Sequence, residues 1–328
     1  MRGSAAAPVT IRRLSPPHDL RAELAADVRR GMGSRPRFIP SKYFYDATGS
    51  ELFDRITRLP EYYLTRTETS ILSEAAADIM QQVEPDELIE LGAGSAEKTR
   101  MLLDAMLEHT AGRHYVPIDI SLPALEEAVR SLCAAYPDLS IDGIVGDFDS
   151  DLHKVSRGGR RLVSFLGSTV GNLVRPERIV LYREIARMLE SRDRFLLGVD
   201  LIKDPETMIA AYNDEAGLTA AFTRNILTVV NRELGSDFPV DEFIHRPVWN
   251  PAESRMEAWL EAARPVSVTI PGIEATVDFS AGERIHTEVS CKFTKTMVVE
   301  ELSQAGMVID DWYTDSRSWY ALVLARPA

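Results

Sequence analysis

Between residues 85 and 200 the chain keeps one rhythm: a short apolar run, a break containing glycine, serine or aspartate, and a longer stretch with apolar side chains at helical spacing. Strands are predicted at 87–91, 114–118, 141–145, 161–166 and 194–199. Helices are predicted at 97–107, 122–136 and 176–190, the second of them started by Ser121 and Pro123. Strands and helices alternating at these lengths mean an α/β fold with a parallel, doubly wound sheet. The flanks read differently. Residues 1–16 have no periodicity and are expected to be a mobile tail. From residue 18, Leu20, Leu24, Ala25 and Val28 define an amphipathic helix closed by Gly31 and Gly33. Residues 36–63 are dense in aromatics and broken by Pro36, Pro40, Gly49 and Pro60, with one short helix at 50–57; a helix at 67–82 follows. After residue 200 come two helices, 205–212 and 218–234, and an alternating region, 248–278, that reads as antiparallel strands. A helix at 295–305 and strands at 307–313 and 318–325 form a terminal hairpin added to the main sheet. Residues 17–62 and 201–291 thus make a second module beside 63–200 and 292–328.

Composition narrows the chemistry. With 45% hydrophobic residues the 328-residue chain has material for a large core, and a net charge of −13 repels phosphate backbones. Nucleic acid is therefore not the expected partner, and a small-molecule or protein substrate is. Cys133 and Cys291 stand far apart without a C-x-x-C spacing, so neither a disulfide framework nor a metal site is indicated and a reducing cytoplasm is expected. No apolar run approaches the ~18 residues of a membrane span, and a monomer is expected.

Glu90-Leu91-Gly92-Ala93-Gly94 sits at the carboxyl end of the first strand of the alternating region, where open α/β sheets bind ligands. Gly92 and Gly94 let a ligand approach the backbone. Glu97 replaces the last glycine of the dinucleotide fingerprint, which favours a cofactor without a pyrophosphate. E-x-G-x-G at this place is the pattern of class I S-adenosylmethionine methyltransferases; a purely structural turn is the alternative. Asp119, about twenty-five residues after Gly94, ends the second strand and has the acceptors for both ribose hydroxyls, while Asp147-Phe148 ends the third and suits an adenine amino group and ring face. Each acid taken singly could be a helix cap.

The segments RPRFIPSKYFYDATGSELFDRITRLPEYYLTRTE, ELGAGSAEKTRMLLDA, FLGSTVGNL, AYNDEAGLTAAFTRN and TEVSCKF closely resemble the histidine Nα-methyltransferases of ergothioneine biosynthesis, from about residue 18 to the end. The resemblance implies a Rossmann-like S-adenosylmethionine-binding methyltransferase domain (63–200 and 292–328) and an α+β substrate-binding domain (17–62 and 201–291). It implies S-adenosyl-L-methionine as cofactor, S-adenosyl-L-homocysteine as its product, and three transfers to histidine to give hercynine. Gly92, Gly94, Lys98, Asp119, Asp147 and Phe148 would hold the cofactor. Gly167, Asn172 and Tyr212 would hold the amino-acid end, with Asn172 and Tyr212 presenting the amine for transfer. Tyr45, Phe53 and Tyr62 would wall the pocket, and Glu288 and Ser290 would recognise the imidazole. Residues i and i+2 of a strand share a face, so both could reach one ring; an exposed acid and hydroxyl is the alternative. Rings such as Tyr45 could equally form a satellite core.

Ala258, in SRMEAWLEA, stands where the histidine enzymes of this resemblance carry a methionine, so a wider pocket for tryptophan or tyrosine is the competing expectation. Glu288 argues for imidazole, because a buried carboxyl without a donor is costly. Methyl transfer needs a neutral amine held in line and no metal, and the six histidines are scattered. Only His286, which shares strand parity with Glu288, is near a proposed site residue. A binding protein without turnover, or a protein methyltransferase, are the remaining alternatives.

Overall fold

The computed structural model describes residues 7–14, 19–146 and 152–328, without the side chain of His153. The chain divides into two compact units, one of residues 1–17, 66–201 and 293–328, the other of 18–65 and 202–292.

The first unit is built on an eight-stranded sheet. Its strands are β1 (Val9–Arg13), β3 (Glu87–Leu91), β4 (His114–Asp119), β5 (Ser140–Val145), β6 (Arg161–Phe165), β7 (Arg194–Asp200), β13 (Met307–Thr314) and β14 (Tyr320–Pro327), ordered β1-β5-β4-β3-β6-β7-β14-β13. The first six positions pair in parallel and the last two strands are antiparallel. Every residue of β3 and β6 is buried, as expected of parallel strands covered on both faces. Helices α3 (Tyr63–Val83), α4 (Thr99–His109) and α5 (Leu122–Ala135) contribute Leu72, Ile79, Met80, Leu102, Met106, Leu125 and Leu132 to the core on these strands. Helix α6 (Arg175–Met188) precedes β7, and α9 (Lys295–Gln304) precedes β13.

The second unit holds a four-stranded sheet ordered β2-β12-β9-β8, where β2 is Arg37–Phe38, β8 Phe243–Asn250, β9 Arg255–Ala262 and β12 Arg284–Cys291, and a hairpin of β10 (Val266–Ile270) and β11 (Ala275–Phe279). Helices α1 (Leu20–Gly33), α2 (Ala47–Ile56), α7 (Pro205–Ala211) and α8 (Leu218–Leu234) accompany it.

Three expectations change. Residues 9–13, assigned to a mobile tail, form β1, which pairs in parallel with β5 from Val9 opposite Ile141 to Arg13 opposite Val145. Partnership with a distant edge makes this strand, and no local periodicity reports it. Helix α3 begins at Tyr63 rather than at Thr67, which is a buried interior residue of it. On α1, Leu20 is 71% exposed while Leu24 and Val28 are buried, so the apolar face starts one turn later than the pattern suggested.

Candidate active site

In the first unit the E-x-G-x-G turn follows β3. Gly92 and Gly94 both have left-handed backbones, at φ +67° and +51°, and a side chain on Gly94 would meet nothing within 4 Å. The turn is therefore open on the side where a ligand would lie. Asp119, at the end of β4, fastens this turn: one carboxyl oxygen accepts the Gly94 N–H at 2.9 Å and the other accepts the Ser121 N–H at 2.8 Å. Burial raises its pKa, and those N–H groups oppose the rise. A carboxylate offers about four acceptor positions, so both oxygens keep capacity for a ribose diol. An open glycine turn beside a half-buried, half-used acid fits S-adenosylmethionine. Asp147 and Phe148 lie outside the described residues.

Glu90, the acid of the motif, turns the other way. It is buried, with Thr99 Oγ1 donating to it at 2.5 Å and the Tyr115 hydroxyl donating to its other oxygen. Burial pushes its carboxyl up to about 7 despite these donors and nearby Lys98. Its partners bind β3, β4 and α4 together.

Gly167 and Asn172 lie in the loop after β6. Gly167 and Ser168 are both left-handed, and a short 3-10 turn, Thr169–Asn172, follows. Glu68 of α3, fully buried, accepts the Gly167 N–H at 2.8 and 3.0 Å, the Tyr320 hydroxyl at 2.7 Å, and an ion pair from Lys98. A side chain on Gly198 would come within 2.4 Å of a Glu68 oxygen, so that glycine makes its room. Glu68 thus joins Lys98 to Gly167, a role no sequence pattern suggested although the residue lies in a quoted motif. The Asn172 side-chain amide makes no hydrogen bond among the described residues.

In the second unit Asp46 caps α2 through the Gly49 N–H at 2.8 Å and also accepts from Asn225 at 2.8 Å and Arg232 at 2.7 Å. Burial would raise its pKa; Arg232, the Gly49 N–H and Asn225 hold it below the usual carboxylate range. A Cβ on Gly49 would lie 1.7 Å from the Phe44 carbonyl oxygen, so only glycine lets α2 pack this closely. F-Y-D-A-T-G-S-E-L-F is therefore a device that seats rings. Tyr45 meets Phe53 at 5.7 Å between centroids, Phe53 meets Tyr62 at 6.2 Å, and Tyr62 meets Tyr212 at 6.5 Å, all edge to face. Phe222 of α8, missing from the expected set, packs on Tyr45 and Phe53; its helical spacing identifies it only as core.

The Tyr212 hydroxyl donates to Ser290 Oγ at 2.7 Å, and buried Lys292 donates to both oxygens. His245 Nε2 donates to the Tyr212 carbonyl oxygen at 2.8 Å, fixing where Tyr212 leaves α7. Burial depresses the His245 pKa, so it stays neutral. On β12, Glu288 lies opposite Ala258 and Ser290 opposite Met256, which puts both on the buried face of β9. The Glu288 carboxyl accepts no hydrogen bond among the described residues, and burial pushes it up to about 7 against the pull of Lys292.

The parity expected for His286 does not hold. His286 pairs with Trp259 and Glu288 with Ala258, so two steps on β12 match one on β9. This bulge turns His286 to the opposite face, where its ring packs against Trp259 with centroids 4.6 Å apart and planes tilted by 55°. No group of His, Cys, Asp or Glu that could hold a metal occurs among the described residues.

The family model described as histidine-specific methyltransferase, SAM-dependent, matches residues 24–327. The chain is 48% identical over 302 residues to the histidine N-alpha-methyltransferase of Mycolicibacterium smegmatis, covering 92% of this chain and 94% of that one. It is 45% identical, with the same coverage, to the enzyme of that name from Mycobacterium tuberculosis. It is also 29% identical to ergothioneine biosynthesis protein 1 of Neurospora crassa, over 93% of this chain and 35% of that longer one. The open glycine turn, the fastened acid of β4 and this match across nearly the whole chain lead to one assignment: the protein belongs to the histidine-specific, S-adenosylmethionine-dependent methyltransferase family.

Proposed function

We propose that the enzyme methylates the α-amino nitrogen of L-histidine three times, giving hercynine on the way to ergothioneine. The observation that carries the substrate is Glu288: a carboxyl crowded enough to be pushed to about 7, without a hydrogen bond among the described residues, two positions from the Ser290 hydroxyl on one strand. A half-buried acceptor of this kind suits a ligand that brings an N–H. Imidazole does so and has a second ring nitrogen for Ser290.

S-adenosylmethionine, when bound, supplies an electrophilic methyl group. Gly92, Gly94 and Asp119 would hold the cofactor, Asp119 as acceptor for its ribose hydroxyls. Lys98, kept in place by Glu68, faces Gly167 and steadies that loop. Asn172 orients the amine through its side-chain amide. A free α-amino group titrates near ~8, so a neutral fraction is present without a dedicated base, and a drier surrounding enlarges it. Tyr45, Phe53 and Tyr62 exclude water and offer ring faces that favour a methylated ammonium, which suits repeated transfer. The enzyme works as a cytoplasmic monomer under this proposal, checked by cell fractionation and light scattering; no helix among the described residues is long and apolar enough to cross a membrane.

A second reading rests on Ala258. It lies directly across from Glu288 and is 4% exposed, so the space beside the carboxyl is bounded by a methyl group. Room there favours a larger aromatic amino acid. Turnover of histidine, tryptophan and tyrosine in parallel, with products weighed by mass spectrometry, decides between them: trimethylated histidine as the best product is expected, and a better tryptophan or tyrosine product overturns the histidine assignment.

A further inference from the structure

Glu68 of α3 has 0% exposure, and its carboxylate is bound from the ends of two neighbouring strands, β3 and β6. From the β3 side comes Lys98, the residue before α4, whose ammonium pairs with one oxygen. From the β6 side comes the Gly167 N–H, 2.8 and 3.0 Å from the two oxygens. Lys98 Nζ also lies 3.3 Å from the place a Cβ on Gly167 would take, so it fills the room this glycine leaves. The backbone beyond is strained: Gly167 at φ +75° and Ser168 at φ +54° are left-handed in succession, which is unfavourable for serine. Such a conformation persists where its neighbours over-determine it. Here the Asp200 N–H donates to Ser168 Oγ at 3.0 Å, Thr169 Oγ1 donates to the Leu166 carbonyl oxygen at 2.9 Å, and Glu68 holds Gly167. The 3-10 turn that follows ends at Asn172. Replacing a buried ion pair by apolar side chains is often neutral for stability, so stability alone does not account for a charge at this place. Its position beside the carboxyl ends of parallel strands, where open α/β sheets bind ligands, gives it a further task.

We propose that Glu68 is a positioning residue for methyl transfer: by gripping Lys98 and the Gly167 N–H on one carboxylate, it sets the loop that carries Asn172 in fixed relation to the cofactor turn. The inference rests on the reading that Asn172 orients the amine, and deepens it. With no exposure, Glu68 acts only through the groups it holds. In-line transfer tolerates little displacement, and a shift of about 1 Å in a reacting group costs up to about 100-fold in rate. Without the carboxylate the left-handed pair relaxes, and Asn172 moves with the turn. Glu288 and Ser290, which read the side chain of the substrate in the proposed function, are not among the partners of Glu68. The loss therefore falls on kcat more than on KM.

The test compares Glu68→Met, which keeps the length and removes the acceptors, with Tyr320→Phe, which removes a different donor from the same carboxylate, the Tyr320 hydroxyl at 2.7 Å. Hydrogen–deuterium exchange of the ligand-free protein is read by mass spectrometry, and histidine kinetics are measured at saturating S-adenosylmethionine. In Glu68→Met the amides of residues 167–172 are expected to exchange about 10-fold faster or more, while those of β3 and β6 keep their protection. The kcat for histidine should fall by about 10- to 100-fold, with KM changed less than about threefold. Tyr320→Phe should lower the melting temperature, yet leave kcat within about threefold and the loop protected. Three results overturn the proposal: a kcat in Glu68→Met within about threefold of the wild type, exchange that quickens uniformly through the first unit, or an equal loss of kcat in Tyr320→Phe. If Glu68→Met does not fold, Glu68→Asp takes its place, since it keeps the charge and draws the oxygens back by one methylene; kcat should fall about 10-fold with faster loop exchange, and an unchanged kcat overturns the proposal. Asn172→Ala separates the two claims. An unaltered kcat there refutes the amine reading and this proposal with it, whereas a lowered kcat there beside a normal one in Glu68→Met refutes the role of Glu68 alone.

Discussion

Two glutamates, the buried Glu90 in one unit and the half-buried Glu288 in the other, are pushed by their surroundings to about the same place and differ in what they have to hold. Glu90 lies under the glycine turn, with the Thr99 and Tyr115 hydroxyls donating to it, and its pKa rises to about 7 chiefly through burial. Glu288 also rises to about 7 through burial, but only the field of Lys292 opposes the rise. A carboxyl with its acceptors filled ties the elements that surround it; a carboxyl with its acceptors empty waits for a ligand. Equal perturbation therefore does not mean equal function. The partners make the difference: they assign Glu90 to the fold, and they are the ground on which Glu288 is proposed to read the substrate.

The largest expected effect breaks this contrast at its functional end. Glu288→Ala should lower kcat/KM for histidine by about 100- to 1000-fold, because a site built around a substrate N–H loses its acceptor, while the melting temperature stays level or rises. A tenfold loss or less in steady-state kinetics would return Glu288 to the surface-pair alternative. Glu90→Leu should do the reverse, leaving KM for histidine near its normal value and destabilising the protein by about 1–2 kcal/mol as two hydroxyls lose their acceptor; urea unfolding reads this directly.

The pH dependence sharpens the comparison. Both carboxyls have native pKa values above the unfolded value of about 4.5, so between pH 4.5 and 7 the native protein holds protons that the unfolded chain has lost. Their contribution to stability is therefore greatest at low pH and falls as pH rises through that window. It amounts to about 3 kcal/mol for Glu90, and to less for the half-buried Glu288. Urea midpoints of the ligand-free protein across pH 4.5–7 should flatten in Glu90→Gln and Glu288→Gln, each removing its own share. A profile unchanged by either substitution would mean that both carboxyls titrate normally.

The smallest effect concerns the wall opposite Glu288. Ala258→Met adds volume beside the carboxyl and should lower kcat/KM for tryptophan about tenfold or more while changing that for histidine by less than about threefold. Equal effects on both substrates, in competition assays, would show that residue 258 does not bound the ring.

Much of the first unit was legible because its information is local. ELIEL ending in GAG, then a helix, specifies a strand, a turn and a ligand-facing strand end within a dozen residues, and the α/β sheet follows from repetition of that unit. The aromatic stretch was legible as a concentration of rings, and the structure explains its glycine: Gly49 admits the Phe44 carbonyl and so places Tyr45 and Phe53. What escaped the sequence was pairing. Strand β1 exists through β5; the bulge between His286 and Glu288 exists through a mismatch with β9; Glu68 reaches Gly167 and Lys98 across long sequence separations.

The sequence by itself determined the alternating fold, the glycine turn with its acid and the motifs that place the chain in its family, because spacing along one strand or helix is fixed by backbone geometry. Only the tertiary structure decided which polar atoms find partners. It gave Glu90 its two hydroxyls, left Glu288 without a donor among the described residues, and set Lys292 against Ser290 and Tyr212. Hydrogen-bond satisfaction is a property of atoms brought together from distant parts of the chain, and in this enzyme it separates a structural carboxyl from the one proposed to read the substrate.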